Sequence, residues 1–152
     1  MAPPKPTGKG FSHFLATRMT ALHAWIYRLS GGRIGGSAFN APVLLLTTTG
    51  HKSGQKRTTA LLYLDLGGGA GYAIVGSYGG ADRAPAWALN LQKNPAAEIQ
   101  IGSKIIPVNA MPASPARKAE LWPKLVAMYP DYQVYQDRTA RDIPVILLTP
   151  AP

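Results

Sequence analysis

Cysteine is absent from the 152 residues. That excludes disulfides, zinc fingers, iron–sulfur sites and thiol chemistry, and makes an intracellular enzyme the simpler reading. Acidic residues are scarce, with 7 Asp or Glu against 16 Lys or Arg and a net charge of +9. The scarcity is one-sided: no acidic residue precedes Asp65, whereas eight basic residues do. Residues 65–152 are nearly balanced. Such asymmetry points to an anionic partner for the first half, whether nucleic acid, an acidic membrane surface or a phosphorylated ligand. The plainer alternative is a solvated basic face. No apolar run follows Met1–Pro6, so no signal peptide is expected. No uncharged apolar stretch approaches the roughly 18 residues that a membrane span needs.

Other chemistries lack their signatures. His13, His23 and His51 fall on different elements, with no H-x-x-x-H or H-E-x-x-H, and the carboxylates show no D-x-D or E-x-x-E pair. No metal site is expected. G-x-S-x-G is missing, which disfavours a hydrolase. Neither G-x-G-x-x-G after the first strand nor G-x-x-x-x-G-K-[ST] occurs, which disfavours dinucleotide-binding and P-loop folds.

What is present is a globular composition, 46% hydrophobic and 15% charged, with 16 glycines and 14 prolines scattered at segment boundaries. Residues 1–10 read as a disordered basic arm, and residues 11–152 as one domain. Apolar residues at Phe11, Phe14, Leu15, Met19, Leu22, Ile26 and Leu29 form a helical stripe stopped by Gly31-Gly32. Two readings stand for that helix. Either it packs on the domain, or it lies on an acidic membrane with Trp25 and Tyr27 near the headgroups. Strands follow at Pro42–Thr49, Arg57–Leu64, Gly71–Ser77, Glu98–Ile101, Lys104–Met111 and Ile143–Thr149, with Gly102-Ser103 as a hairpin turn. Helices are expected over Pro85–Lys93, from a Ser114-Pro115 cap to about Met128 with a kink at Pro123, and over Tyr129–Gln136. Short antiparallel connections suit a small barrel or roll, an α+β chain that is mainly β.

The densest chemistry lies between the first two strands, in Gly50-His51-Lys52-Ser53-Gly54-Gln55-Lys56-Arg57. Glycines at 50 and 54 allow backbone N–H groups to turn inward as an anion nest. Lys52, Lys56 and Arg57 add charge, and Ser53 and Thr58 add hydroxyl donors. A polar hairpin turn is the competing reading. Trp87 lies on a helix with Leu91 four residues on, a spacing that fits a core position as well as a cofactor box. Tyr129, Tyr132 and Tyr135 are spaced for one helix face, either as an aromatic seam or as the wall of a site.

Three stretches carry a resemblance: PVLLLTTTGHKSGQKRTTALLY at 42–63, IVGSYGGADRAPAWALNLQKNP at 74–95 and MYPDYQVYQ at 128–136. Together they resemble the deazaflavin-dependent nitroreductase family of actinobacteria, split β-barrel proteins that use coenzyme F420, a 5-deazaflavin with a phosphate and an oligoglutamate tail. The resemblance spans about residues 10–150. It implies a split β-barrel of the FMN-binding type, with an N-terminal helix and peripheral helices. It places the coenzyme phosphate on Lys52, Ser53, Gly54 and Arg57, with His51 and Lys56 close by. It sets the deazaflavin ring against Thr59, Ala60 and Leu61 through backbone groups, with Val75, Gly76, Ser77, Tyr78 and Gly79 on the other side. Ala86, Trp87 and Asn90 complete the ring site. Ser77, Tyr129, Tyr132 and Tyr135 become a wall for the electron acceptor. The activity implied is hydride transfer from the reduced coenzyme to a quinone, a nitro compound or another electron-poor acceptor. A cytoplasmic monomer or homodimer is expected, with peripheral contact at the inner membrane face if residues 11–30 lie on lipid. Two other readings stay open: an FMN oxidoreductase on the same barrel, and a non-catalytic basic module for membrane or nucleic acid. The nucleic-acid form is disfavoured because no aromatics interleave with the basic turn.

Overall fold

The computed structural model describes residues 27–28, 37–38 and 40–152. The expected basic arm, and the helix stripe up to Ile26, therefore lie outside the described residues. The strands are β1 (Ser37–Ala38), β2 (Ala41–Thr49), β3 (Lys56–Leu62), β4 (Leu64–Asp65), β5 (Tyr72–Val75), β6 (Ala96–Ile101), β7 (Lys104–Pro112) and β8 (Val145–Pro150). The helices are α1 (Ala86–Lys93), α2 (Pro115–Met128) and α3 (Asp131–Arg138), with a short 3-10 turn at Tyr78–Gly80.

All strand pairings are antiparallel. The order is β1-β2-β6-β7-β8-β5-β4, and β3 pairs β2. β3 and β4 are one extended segment interrupted at Tyr63, whose N–H makes the last bond to β2, to the Pro42 carbonyl at 3.1 Å. Before the break the segment pairs with β2, and after it with β5, so it closes the sheet on itself. Among the described residues the far edge of β3 carries no partner strand. The result is a split barrel, mainly β, as expected. Several expected strands differ in extent: Arg57–Leu64 is interrupted, Glu98–Ile101 starts two residues earlier, Gly71–Ser77 shortens to Tyr72–Val75, and Ile143–Thr149 begins only at Val145.

β2 explains why its sequence is continuously apolar. Leu44 and Leu46 face the barrel interior with Ile74, Trp87, Leu91, Ile99, Val108 and Leu148. Val43 and Leu45 face the other way and pack with Tyr27, Ala60 and Leu62. A strand buried on both faces shows no alternation. A third cluster covers the outside of β5 and β8, where Leu121, Leu125 and Tyr132 meet Ala73, Val75 and Val145. The α2 cap is as expected: Ser114 Oγ accepts from Arg117 N–H at 3.1 Å. α2 then runs through Pro123 as one element to Met128.

Tyr27 settles its own environment. It is helical and 1% exposed, and its hydroxyl accepts from Gly102 N–H at 2.7 Å and donates to the Gln100 carbonyl at 3.3 Å. A place among lipid headgroups is thereby overturned for this residue: it is docked on β2, β3 and the β6–β7 hairpin. Arg28 beside it donates to Thr58 Oγ1 at 2.9 Å. Replacing Tyr27 with Phe removes the acceptor for Gly102 N–H. The expected cost is about 1 kcal/mol, seen as a fall of a few degrees in Tm. An unchanged Tm would show that this bond contributes nothing.

Candidate active site

The basic turn begins where the β2–β3 ladder ends, at the pair Thr49–Lys56. Gly50 N–H donates to the Gln55 carbonyl at 2.7 Å, and Gly54 N–H to the Gly50 carbonyl at 2.9 Å. Gly54 holds φ at 70°, a conformation glycine adopts without strain. A Cβ on Gly50 would stand 2.6 Å from Ser53 Oγ, so the loop folds tightly over that position. Gln55 N–H is taken by Ser53 Oγ at 3.2 Å, and His51 N–H by Asn90 Oδ1 at 2.9 Å. That leaves the amides of Lys52 and Ser53 as the turn's donors without a partner among the described residues. Of the amides in the expected anion nest, those of the two glycines are used in closing the loop, and the spare donors sit between them.

The charge is less spoken for than the backbone. Lys52, Lys56 and Arg57 are exposed, as are Ser53 and Gly54. Among the described residues Lys56 Nζ reaches only Thr49 Oγ1, at 3.2 Å. Among the described residues the ion pairs are Arg117–Glu120 and Lys118–Asp142, both involving α2. No carboxylate neutralises the turn, so its cations repel one another and an entering anion relieves that repulsion.

Register decides which neighbours share a face with the turn. Arg57 pairs across from Thr48, Thr59 from Leu46 and Leu61 from Leu44. This row runs from the turn into the barrel interior, where Leu61 packs on the cluster holding Trp87. Ala60 pairs with Leu45 on the opposite face and packs beneath Tyr27. Its side chain is turned away from the row, which leaves only its backbone for a ring. Trp87 is 9% exposed within the core, and Ala86 before it is exposed. Asn90 is 3% exposed, and its carboxamide nitrogen bonds Thr48 while its oxygen bonds His51.

The segment expected on the other side of the ring follows β5. Gly76 N–H donates to the Pro144 carbonyl at 2.9 Å, and Ser77 is buried. Tyr78 sits at φ 45°, a left-handed conformation costly for an aromatic residue, with the Arg83 guanidinium 5.6 Å from its ring centre. Gly79 is open around its Cβ direction, whereas a Cβ on Gly80 would meet the Tyr135 carbonyl at 2.8 Å, so this loop rests directly on α3. Arg141 holds it there. Its guanidinium donates to the carbonyls of Ala81 at 2.7 Å, Ser77 at 2.9 Å and Gly76 at 3.1 Å. Sequence reading missed Arg141, which lies in no motif. The one available signal is that a loop leaving a strand has carbonyls in need of donors, and arginine carries five.

The tyrosines do not share one helix. Tyr129 caps the end of α2 in extended conformation, φ −143° and ψ 95°. Pro130 follows, and the residue before a proline is pushed out of the helical region, which is why α3 begins at Asp131. The side chains still converge. The hydroxyls of Tyr129 and Tyr135 are 3.0 Å apart, and the Tyr129 and Tyr132 rings meet edge-on at 4.9 Å. Burial pushes the Tyr132 phenol well above its usual range, and Tyr135 adds to this. Tyr129 is raised in the same direction by desolvation first and by its bond to Tyr135 second. Both are therefore neutral hydrogen-bond donors at physiological pH rather than ready sources of a proton.

Residues 19–150 match the family described as F420H(2)-dependent quinone reductase. The chain belongs to that family. An F420H(2)-dependent quinone reductase of Mycobacterium tuberculosis is 43% identical over 139 residues, covering 89% of this chain and 92% of the relative. A solved F420-H2 dependent reductase is 38% identical with a TM-score of 0.64, covering 70% of this chain and 93% of that one. A second solved chain, a domain-swapped dimer, is 32% identical with a TM-score of 0.66, covering 90% and 98%. The F420H(2)-dependent quinone reductase family makes this chain an oxidoreductase and coenzyme F420 its cofactor. The residues present fit an anionic coenzyme: three exposed cations and two spare amides with no carboxylate against them. Among the described residues no cluster could hold a metal ion.

The tyrosine shifts have a consequence for stability. A phenol raised in the folded state favours folding fully below the unfolded value of about 10, and that contribution is lost as pH rises beyond it. Stability is therefore expected to fall above about pH 10, by about 1 kcal/mol per pH unit for a buried phenol such as Tyr132. In Tyr132→Phe the alkaline limb of a denaturation series should be shallower. Equal limbs in the two proteins would contradict the raised phenol.

Proposed function

We propose that this protein transfers a hydride from reduced coenzyme F420 to a quinone, with nitro compounds as adventitious acceptors. The observation that carries the reading is the uncompensated basic turn at residues 50–57, on a chain that belongs to the quinone reductase family. When bound, the reduced deazaflavin supplies a two-electron hydride donor, chemistry that no side chain offers.

The chain's own residues bind, orient and exclude water. Lys52, Lys56 and Arg57 anchor the phosphate, Arg57 in a bidentate grip, with the Lys52 and Ser53 amides, the Ser53 hydroxyl and Gly54 completing the cradle. Thr59 and Leu61, the backbone of Ala60, and the unpaired edge of β3 face one side of the ring. Val75, Gly76, Ser77, Tyr78 and Gly79 face the other, with Ala86 and Trp87 at its end. Remote binding at the phosphate sets the position of the reacting centre. Ser77 and the tyrosines form the acceptor wall. The Tyr129 and Tyr135 hydroxyls bond each other, and the Tyr132 or Tyr135 phenol polarises the acceptor oxygen as a hydrogen-bond donor.

The absence of cysteine suits a reducing compartment, and we place the reaction in the cytoplasm. No helix among the described residues is long and apolar enough to cross a membrane. Tyr27 takes no part in any peripheral membrane contact, because it is buried against Val43 and Leu45 on the outer face of β2. A homodimer is the assembly to test by sedimentation, on the precedent of the solved domain-swapped relative.

Arg57→Ala tests the anchor. Loss of a charge-assisted contact of about 1.5–3 kcal/mol should raise the coenzyme Kd roughly ten- to a hundredfold. Unchanged coenzyme affinity in that variant would remove Arg57 from the site.

A further inference from the structure

The peptide groups on either side of His51 are held by one helix. The His51 N–H donates to Asn90 Oδ1 at 2.9 Å. The His51 carbonyl accepts from Lys93 Nζ at 2.8 Å. Asn90 and Lys93 stand three residues apart on α1, and so face nearly the same way. A trans peptide is planar, with its C=O and N–H pointing in opposite directions. The carbonyl of His51 and the amide of Lys52 belong to one such plane. Drawing the carbonyl toward α1 therefore turns the Lys52 N–H away from α1 and out of the loop. That amide is one of the two in the turn with no partner among the described residues.

Asn90 is itself immobilised. It is 3% exposed, and its Nδ2 donates to Thr48 Oγ1, on a residue 1% exposed, at 2.9 Å. Its Oδ1 also lies 2.6 Å from His51 Nδ1. A backbone N–H can only donate, so the oxygen of the carboxamide must face His51. The same oxygen can then only accept from Nδ1, which fixes a neutral His51 as the Nδ1–H tautomer with Nε2 bare.

We propose that Asn90 is a positioning residue for the basic turn and does not touch the coenzyme. Together with Lys93 it presets the peptide planes around His51, so that the Lys52 amide points at the anion before the anion arrives. This rests on reading the turn as the phosphate anchor. It assigns to α1 a double task. Trp87 packs in the barrel at one end of the helix, and Asn90 and Lys93 orient the phosphate donor at the other. The two ends of the coenzyme site are thus held in register by a single rigid element.

The test compares Asn90→Ala, His51→Ala, the double variant and Arg57→Ala, with coenzyme Kd, kcat and KM measured for each. Asn90→Ala should raise the Kd about tenfold and leave kcat at saturating coenzyme within about twofold, as expected for lost preorganisation. The double variant should bind no more weakly than Asn90→Ala, because the one bond that His51→Ala removes, from Nδ1 to Asn90 Oδ1, is already lost in Asn90→Ala. The salt dependence of coenzyme binding should stay as in the parent for Asn90→Ala and weaken for Arg57→Ala, since only the second removes a charge. Nitrogen NMR of the coenzyme-free parent protein supplies a readout independent of activity and of any variant's folding. At a pH where His51 is neutral, its ring should be the Nδ1–H form. An Nε2–H ring in the parent, additive losses in the double variant, or a fall in kcat with unchanged Kd would each overturn the proposal. If Arg57→Ala leaves the Kd unchanged, the phosphate reading itself fails. If Arg57→Ala weakens binding and Asn90→Ala does not, the positioning role alone fails.

Discussion

A buried carboxamide must satisfy a donor group and an acceptor group without help from water, and Asn90 does so entirely at the end of β2. That constraint ties the loop of like charges to the barrel. Left to itself, a glycine-framed turn carrying Lys52, Lys56 and Arg57 would splay through self-repulsion. Bound to α1 through Asn90 and Lys93, it keeps a single shape, with its spare donors and its cations on show. The repulsion is then stored in the free protein, ready to be relieved by an anion.

A second constraint lies at Tyr63. The break there lets one extended segment serve two neighbours, β2 through β3 and β5 through β4. The sheet closes at that end and stays open along the far edge of β3. On the open side a row of Arg57, Thr59 and Leu61 descends into the interior toward Trp87. Across from it, the loop after β5 is held by Arg141, whose guanidinium gathers three carbonyls, and it rests on α3 through Gly80. The left-handed Tyr78 is tolerated because the residues around it are fixed on both sides. The two walls are thus stapled separately, each by one polar side chain from a neighbouring element. Hydride transfer needs such walls, since the donor and acceptor atoms must be held at a near-attack distance.

The fold was largely legible because its signals are local. The apolar run of β2, the Gly102-Ser103 hairpin, the Ser114 cap and the helix before Asn94-Pro95 each depend on residues within a few positions. The basic turn was legible as a cluster of residue types, and the family resemblance extended it to Trp87 and the tyrosines. Less was legible wherever a residue's role depends on a distant partner. The face on which Ala60 lies follows from its pairing with Leu45. The duty of Asn90 follows from Thr48 and His51, 42 and 39 residues away. Arg141 stands 60 to 65 residues from the carbonyls it gathers. None of these has a spacing rule.

By itself, then, the sequence determined the class of barrel through its family resemblance, and the sign and position of the charge and the exclusion of thiol chemistry through composition and short-range pattern, which carry that information directly. Tertiary structure alone decided which donors remain free. The turn has the glycines of an anion nest, yet four of its amides are spent, two within the loop's backbone, one on Ser53 and one on Asn90. Hydrogen bonds are exclusive and directional. Which amide is left for a ligand is therefore settled only when every other group has found its partner in space.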